Sequence, residues 1–190
     1  MACDEKEKDK KTSVENMLEE KALERREIYL WGGVDDESAE KIVKRILYLD
    51  ESGKGDIKLF INSPGGVISS GLAIYDAMQA ARNDVSTICM GQAASMGAVL
   101  LTAGTKGKRL IWPSARVMIH QPLISSAIYA PATDLQIQAE EMLRIRSRLN
   151  EILVKHSGKS MEQIDQDTDR DKFMSAKEAV EYGLVDKVVQ

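Results

Sequence analysis

Little in this 190-residue chain offers redox or metal chemistry: it holds two cysteines, Cys3 and Cys89, and two histidines, His120 and His156. Cys3 stands in a polar tail and Cys89 in the apolar run Val85–Met90, so the two do not read as a disulfide framework. A reduced compartment follows. No zinc-type spacing occurs, and no metal is expected. Nowhere do about 18 apolar residues run together, as a membrane helix requires. The opening MACDEKEKDKK has no apolar stretch of the signal-peptide kind. The expected location is the cytoplasm, without a membrane partner. Net charge is −4, and no basic stripe interleaves with aromatics. That disfavours generic phosphate-backbone binding, so nucleic acid is not an expected partner.

What is present is an ordinary globular balance, 43% hydrophobic and 29% charged residues, enough for one compact core. Residues 1–15 are nearly all polar or charged and read as a flexible arm, leaving 16–190 as a single domain. Strand patterns at Glu27–Trp31, Ile57–Asn62, Val85–Met90, Arg109–Trp112, Arg116–His120 and Leu184–Val189 alternate with helical ones. The helical stretches are 14–26, 36–49, 67–82, 95–103 and 133–157. In the second of these, Ala39, Ile42, Val43, Ile46 and Leu47 mark a buried face. Ser160 with Gln163, and Ser175 with Glu178, are spaced as capping boxes. The alternation argues an α/β fold. In 133–157, capped by Thr133 and stopped by Gly158, Leu135, Ala139, Met142, Leu149 and Ile152 form a stripe, with Ile137 and Ile145 off it. That helix is either sunk in its own core or projects to meet another subunit.

Three places could carry chemistry. Ser63-Pro64-Gly65-Gly66 follows a strand and precedes a helix; it is either a plain turn or a corner whose bare N–H groups hold an oxyanion. Ser95, one of 15 serines, lies among small residues in Gly91–Ala98 where a strand meets a helix. It can be a helix cap or an exposed nucleophile with the next N–H free for an oxyanion. A serine nucleophile needs a base. His120 ends an apolar strand and can point into a cleft or be a satisfied buried histidine. His156, at a helix end, is explained by the C-terminal dipole. The orienting carboxylate could be any of Asp165, Asp167, Asp169 and Asp171, which crowd one loop.

Four segments carry a resemblance: Phe60-Ile61-Asn62-Ser63-Pro64-Gly65-Gly66, Gly91–Arg109, Arg116–Pro122, and Asp169–Phe173 running on to Glu181–Asp186. Together they resemble the proteolytic subunit of the Clp protease, the ClpP family, over roughly residues 27–190. The resemblance implies a crotonase-like fold of stacked ββα units with a projecting handle helix at about 133–157. It implies an endopeptidase with Ser95 as nucleophile, His120 as base and Asp171 as orienter, and oxyanion donors at the Gly66 and Met96 N–H groups. It further implies two stacked heptamers, with Asp169 and Arg170 as the ion-pair element coupling ring contact to the triad. Peptides and unfolded proteins would be the substrates, handed over by a hexameric AAA+ unfoldase that spends ATP. The peptidase itself would need no cofactor.

Three features depart from the family pattern. Leu123–Pro131 lacks the usual glycines and is about two residues longer. The N-terminal arm is charged where relatives have apolar pore-loop segments. Lys58 stands where relatives often show an aromatic of the unfoldase-docking cleft. A helper subunit completing a mixed ring with a paralogue is therefore a second reading, and a crotonase-fold acyl-CoA enzyme a third.

Overall fold

A computed structural model describes residues 14–123 and 129–189. Nearly all of the charged arm and the middle of the departing segment 123–131 lie outside the described residues. Seven strands are described: β1 (Glu27–Trp31), β2 (Ile57–Ser63), β3 (Val85–Ala94), β4 (Arg109–Ile111), β5 (Arg116–Ile119), β6 (Lys172–Ser175) and β7 (Lys187–Val188). The helices are α1 (14–24), α2 (Asp36–Ser52), α3 (Ile68–Ala80), α4 (Met96–Thr102), α5 (Ala132–Ser157), α6 (Met161–Thr168) and α7 (Ala176–Tyr182). The mixed α/β architecture is the expected one.

The sheet runs β1-β2-β3-β4-β7, all parallel. β3 forks. Its first half pairs with β4 at Thr87–Cys89, and its far end pairs with β5 at Gln92–Ala94. The fork falls at Gly91, whose φ of 71° is open to a residue without Cβ. β5 in turn pairs antiparallel with β6. Strand β6 and the last four residues of β3 were not anticipated, because their pairing partners are remote in sequence. Conversely, the expected strand Leu184–Val189 shortens to Lys187–Val188, since Leu184 and Val185 are buried in the turn after α7.

Local signals otherwise translate directly. β2 buries Ile57, Leu59, Ile61 and Ser63 on alternate positions. Its neighbour β3 buries Val85–Cys89 without a break, as a strand covered on both faces must. α2 buries Ala39, Ile42, Ile46 and Leu49. The stripe is thus rotated from the expected one: Val43 packs at its margin and Leu47 is exposed. Asp35 and Ser38 cap α2 reciprocally. Ser175 and Glu178 form the expected capping box, whereas Ser160 only accepts from the Gln163 N–H, without the return bond.

Helix α5 starts one residue before Thr133, with Pro131 at its N-cap and no side-chain cap, and ends at Gly158 with φ 77°. Only Leu149, Asn150, Ile152 and Leu153 of its residues are buried. Leu135, Ile137 and Leu143 stand exposed, the last at 63%. The helix thus has its C-terminal third inside the body and the rest on the surface. Arg109 anchors that buried third. It grips the Asp186 carboxylate through Nε and Nη2 at 3.0 and 2.6 Å and donates to the carbonyls of Thr102, His156 and Gly183. At 4% side-chain exposure such a pair needs this complete set of partners, because breaking it would strand a buried charge.

His156 corrects the helix-dipole explanation. It is half-buried, 3.4 Å from the Tyr75 hydroxyl, and burial together with the nearby Lys155 and Arg109 cations pushes its pKa from 6.5 down to about 4. It is a neutral packing group at neutral pH, and the charge a dipole would favour is absent. The unfolded chain then takes up a proton that the folded chain refuses, so this contribution is complete above pH 6.5 and is lost as pH falls toward 4. His156→Gln should therefore show a shallower fall of thermal midpoint across that window than the parent. Equal slopes would contradict the assignment.

Candidate active site

Ser95 sits between the end of β3 and the start of α4 with φ 55° and ψ −122°. These are the values of the first central residue of a type II′ turn, where glycine is at home and a side chain costs about 1–3 kcal/mol. The Ser95 N–H donates to the Met118 carbonyl on β5 at 2.9 Å, holding the corner against the neighbouring strand. Its hydroxyl makes no capping hydrogen bond to α4, so the helix-cap reading fails. The hydroxyl lies instead 2.8 Å from His120 Nε2.

Strand register explains that contact. β3 and β5 pair in parallel with Ala94 opposite Met118, so Ser95, just past the end of β3, and His120, just past the end of β5, leave the sheet side by side. β5 and β6 pair antiparallel with Ile119 opposite Lys172, which puts Asp171 across from His120. His120 Nδ1 is 3.1 Å from Asp171 Oδ1. With the proton on Nδ1, the ring donates to Asp171 and its Nε2 accepts from the serine hydroxyl. The His120 side chain is 14% exposed and that of Asp171 59%, so the chain of hydrogen bonds runs from a sheltered cleft outward to solvent.

The Gly65-Gly66 turn closes on the same corner. A Cβ on Gly65 would fall 2.6 Å from Ser95 Cβ and 2.9 Å from the Met96 nitrogen; one on Gly66 would fall 2.2 Å from the Val34 carbonyl oxygen. With φ of 89° and 151°, both positions need glycine for backbone and for space. The fully buried Ser63 accepts the Gly65 N–H at 3.1 Å and fixes the turn. The turn was legible as a candidate from its two glycines; the role of Ser63 was not, because a buried hydroxyl has no sequence signature. Among the described residues, neither the Gly66 nor the Met96 N–H donates to a backbone carbonyl outside the helix and strand ladders.

Beside Ser95 and His120 opens a cleft of about 830 Å³ walled by Leu72, Val99, Ile145 and Leu153 among others. Its apolar walls suit the side chains of an extended peptide. A smaller hollow of about 500 Å³ between α1, β1 and α2 contains no histidine and no paired nucleophile. Cys89 offers no rival nucleophile: it is buried, and burial pushes its thiol up to about 12. Among the described residues, no three His, Cys, Asp or Glu side chains gather as a metal would require.

Of the four crowded aspartates, only Asp171 reaches His120. Asp165 and Asp167 lie on helix α6 and not in a loop. Asp165 accepts from Asn150 at 2.6 Å. Asp167 accepts from Gln163, Lys172 and Tyr182. Asp169 receives the Gln121 amide through its carbonyl at 2.7 Å. Arg170 is 90% exposed at the side chain and, among the described residues, pairs only with Asp169, at 3.7 Å. Lys58, on β2, pairs with Glu27 at 3.4 Å beside the stacked rings of Tyr29 and Phe60.

Fold and site define a mixed α/β protein that presents a Ser–His–Asp chain at a strand–helix corner, over an apolar cleft and a glycine turn. Residues 9–190 match the family described as Clp protease, and the chain belongs to that family, a ClpP-type peptidase.

The backbone at Ser95 generates a prediction about stability. Replacing Ser95 by glycine relieves the positive φ, whereas alanine keeps the strain. Ser95→Gly should exceed Ser95→Ala in unfolding free energy by roughly 1 kcal/mol. An alanine variant at least as stable as the glycine one would mean the corner is unstrained.

Proposed function

We propose that this chain is a serine endopeptidase subunit, and the observation that carries the reading is the unbroken chain Ser95 Oγ, His120 Nε2, His120 Nδ1, Asp171 Oδ1 at 2.8 and 3.1 Å. As a peptide carbonyl enters beside Ser95, Nε2 takes the hydroxyl proton while Oγ bonds to the carbonyl carbon. The carbonyl oxygen becomes an oxyanion, received by the Gly66 and Met96 N–H groups. One such donor is worth about 3 kcal/mol in the transition state. Imidazolium, steadied by Asp171, then protonates the leaving amine, and the C–N bond breaks. Water repeats the sequence on the acyl-serine, returning Ser95 and releasing the acid. No cofactor takes part.

The assembly reading is two stacked heptamers or a mixed ring with a paralogue. The exposed apolar residues of α5 support it, since Leu135, Ile137 and Leu143 present apolar surface to solvent along one helix. Asp169 and Arg170 are the proposed contact between rings, and Gln121, bonded to Asp169 and adjacent to His120, offers the route from that contact to the base. A cytoplasmic AAA+ unfoldase would supply unfolded substrate. The Lys58–Glu27 pair beside Tyr29 and Phe60 places charge at the strand where an apolar docking loop would seat, so recruitment should be poor unless a paralogue shares the particle. That keeps the helper reading as the alternative. A crotonase-type acyl-CoA reaction is the weaker one, because an enolate held by two N–H groups would not need the Ser–His–Asp chain.

On a short fluorogenic peptide, without ATP, Ser95→Ala should fall to background while folding and assembling normally. His120→Ala and Asp171→Asn should each lose roughly 10,000-fold in kcat, and the double variant little more, because the three act as a unit. Additive losses, or turnover by Ser95→Ala, would overturn the mechanism. Arg170→Ala should shift sedimentation from double toward single ring and lower activity with every triad atom retained. An unchanged profile at full activity would remove Arg170 from the contact.

A further inference from the structure

Asp171 reaches His120 from an exposed position, and among the described residues its carboxylate has no other hydrogen-bond partner. Something else must aim it. Strand alternation sends Asp171 and Phe173 to one face of β6 and Lys172 and Met174 to the other. On that second face, the Lys172 ammonium donates to Asp167 Oδ1 at 2.5 Å. The Tyr182 hydroxyl on α7 donates to Asp167 Oδ2 at 2.7 Å, and Gln163 donates to the same oxygen at 2.8 Å. The Asp167 side chain is 11% exposed, so these bonds are sheltered from water and from salt. Burial alone would raise its pKa, yet the Lys172, Tyr182 and Gln163 bonds outweigh that and hold it below the ordinary carboxylate value. The Tyr182 ring is flanked by the Lys172 and Lys159 ammonium groups at 5.2 and 5.0 Å, which fixes its orientation.

The bond from Lys172 to Asp167 therefore closes an arch, residues 168–171, that carries Asp171 near its foot. The other side of the arch is tied to the strand of the base. The Gln121 N–H donates to the Thr168 carbonyl at 2.6 Å, and the Gln121 side chain donates to the Asp169 carbonyl. With both ends held, the peptide between Arg170 and Lys172 has little freedom to turn. We propose that Asp167, clamped between Lys172 and Tyr182, is a positioning residue that points the Asp171 carboxylate at His120. This rests on the peptidase reading above, and it assigns a task to a residue that touches neither substrate nor the reacting atoms.

The test is the pH dependence of kcat and kcat/KM on a fluorogenic peptide for the full chain, its Asp167→Asn and Lys172→Met variants, and Asp171→Asn as reference. Without an aimed carboxylate the imidazolium is less favoured, so the acid limb should move to lower pH. Asp167→Asn should lower kcat roughly tenfold at unchanged KM and move the acid limb downward by about half a pH unit. Lys172→Met should do the same and Lys172→Arg should restore both. Asp167→Asn added to Asp171→Asn should cost nothing further. A stability loss with the acid limb unmoved, or a further loss on top of Asp171→Asn, would overturn the proposal while leaving the triad intact. If Asp171→Asn itself leaves rate and acid limb unchanged, the peptidase reading fails and the proposal fails with it.

Discussion

The pairing of β5 on both its edges is the constraint on which the site depends. Four residues, Arg116–Ile119, run parallel to the end of β3 and antiparallel to β6. One register brings Ser95 beside His120 and the other brings Asp171 opposite it. A slip of one residue on either edge would turn each side chain to the other face and break the hydrogen-bond chain. Buried Val117 and Ile119 oppose such a slip on the core face, where moving them to solvent would cost about 1.5–3 kcal/mol each. The geometry of the Ser95–His120–Asp171 chain is thus enforced by core packing, through residues outside that chain of hydrogen bonds.

The same corner is locally strained and crowded. Ser95 holds a positive φ, and the glycine turn presses so close that no side chain fits at positions 65 or 66. The corner persists because the body around it is rigid: Arg109 and Asp186 knit β4 to the ends of α4, α5 and α7, and the α4 residues Met96–Thr102 are buried throughout. Outside this body the chain becomes one-sided. The first two turns of α5 carry the exposed apolar side chains Leu135 and Ile137, and Arg170, within the arch that bears Asp171, extends into solvent. On the proposed assembly, a second subunit meeting those groups would press on the arch that bears Asp171.

What the sequence made legible follows from the range of the forces involved. Strands β1, β2 and β4 and helices α2 and α3 write their burial into local periodicity, and the glycine turn and the small-residue setting of Ser95 were visible as candidates. Nothing local announces β6, whose Lys172-Phe173-Met174-Ser175 becomes a strand only because β5 is there to pair with it. For the same reason elementary physics could not choose among Asp165, Asp167, Asp169 and Asp171; the family resemblance singled out Asp171, and the β5–β6 register gives the physical reason. His156 was misread because a helix end favours a cation only when water can reach it, and burial beside Lys155 and Arg109 reverses the preference.

The central claim is that Ser95 is activated by His120, and covalent labelling tests it most directly. The assembled protein treated with a serine-directed fluorophosphonate should gain one adduct per chain, mapped by mass spectrometry to the peptide holding Ser95. The His120→Ala variant should label at no more than a trace of that rate. An adduct on any other serine, or undiminished labelling of Ser95 without His120, would contradict the account.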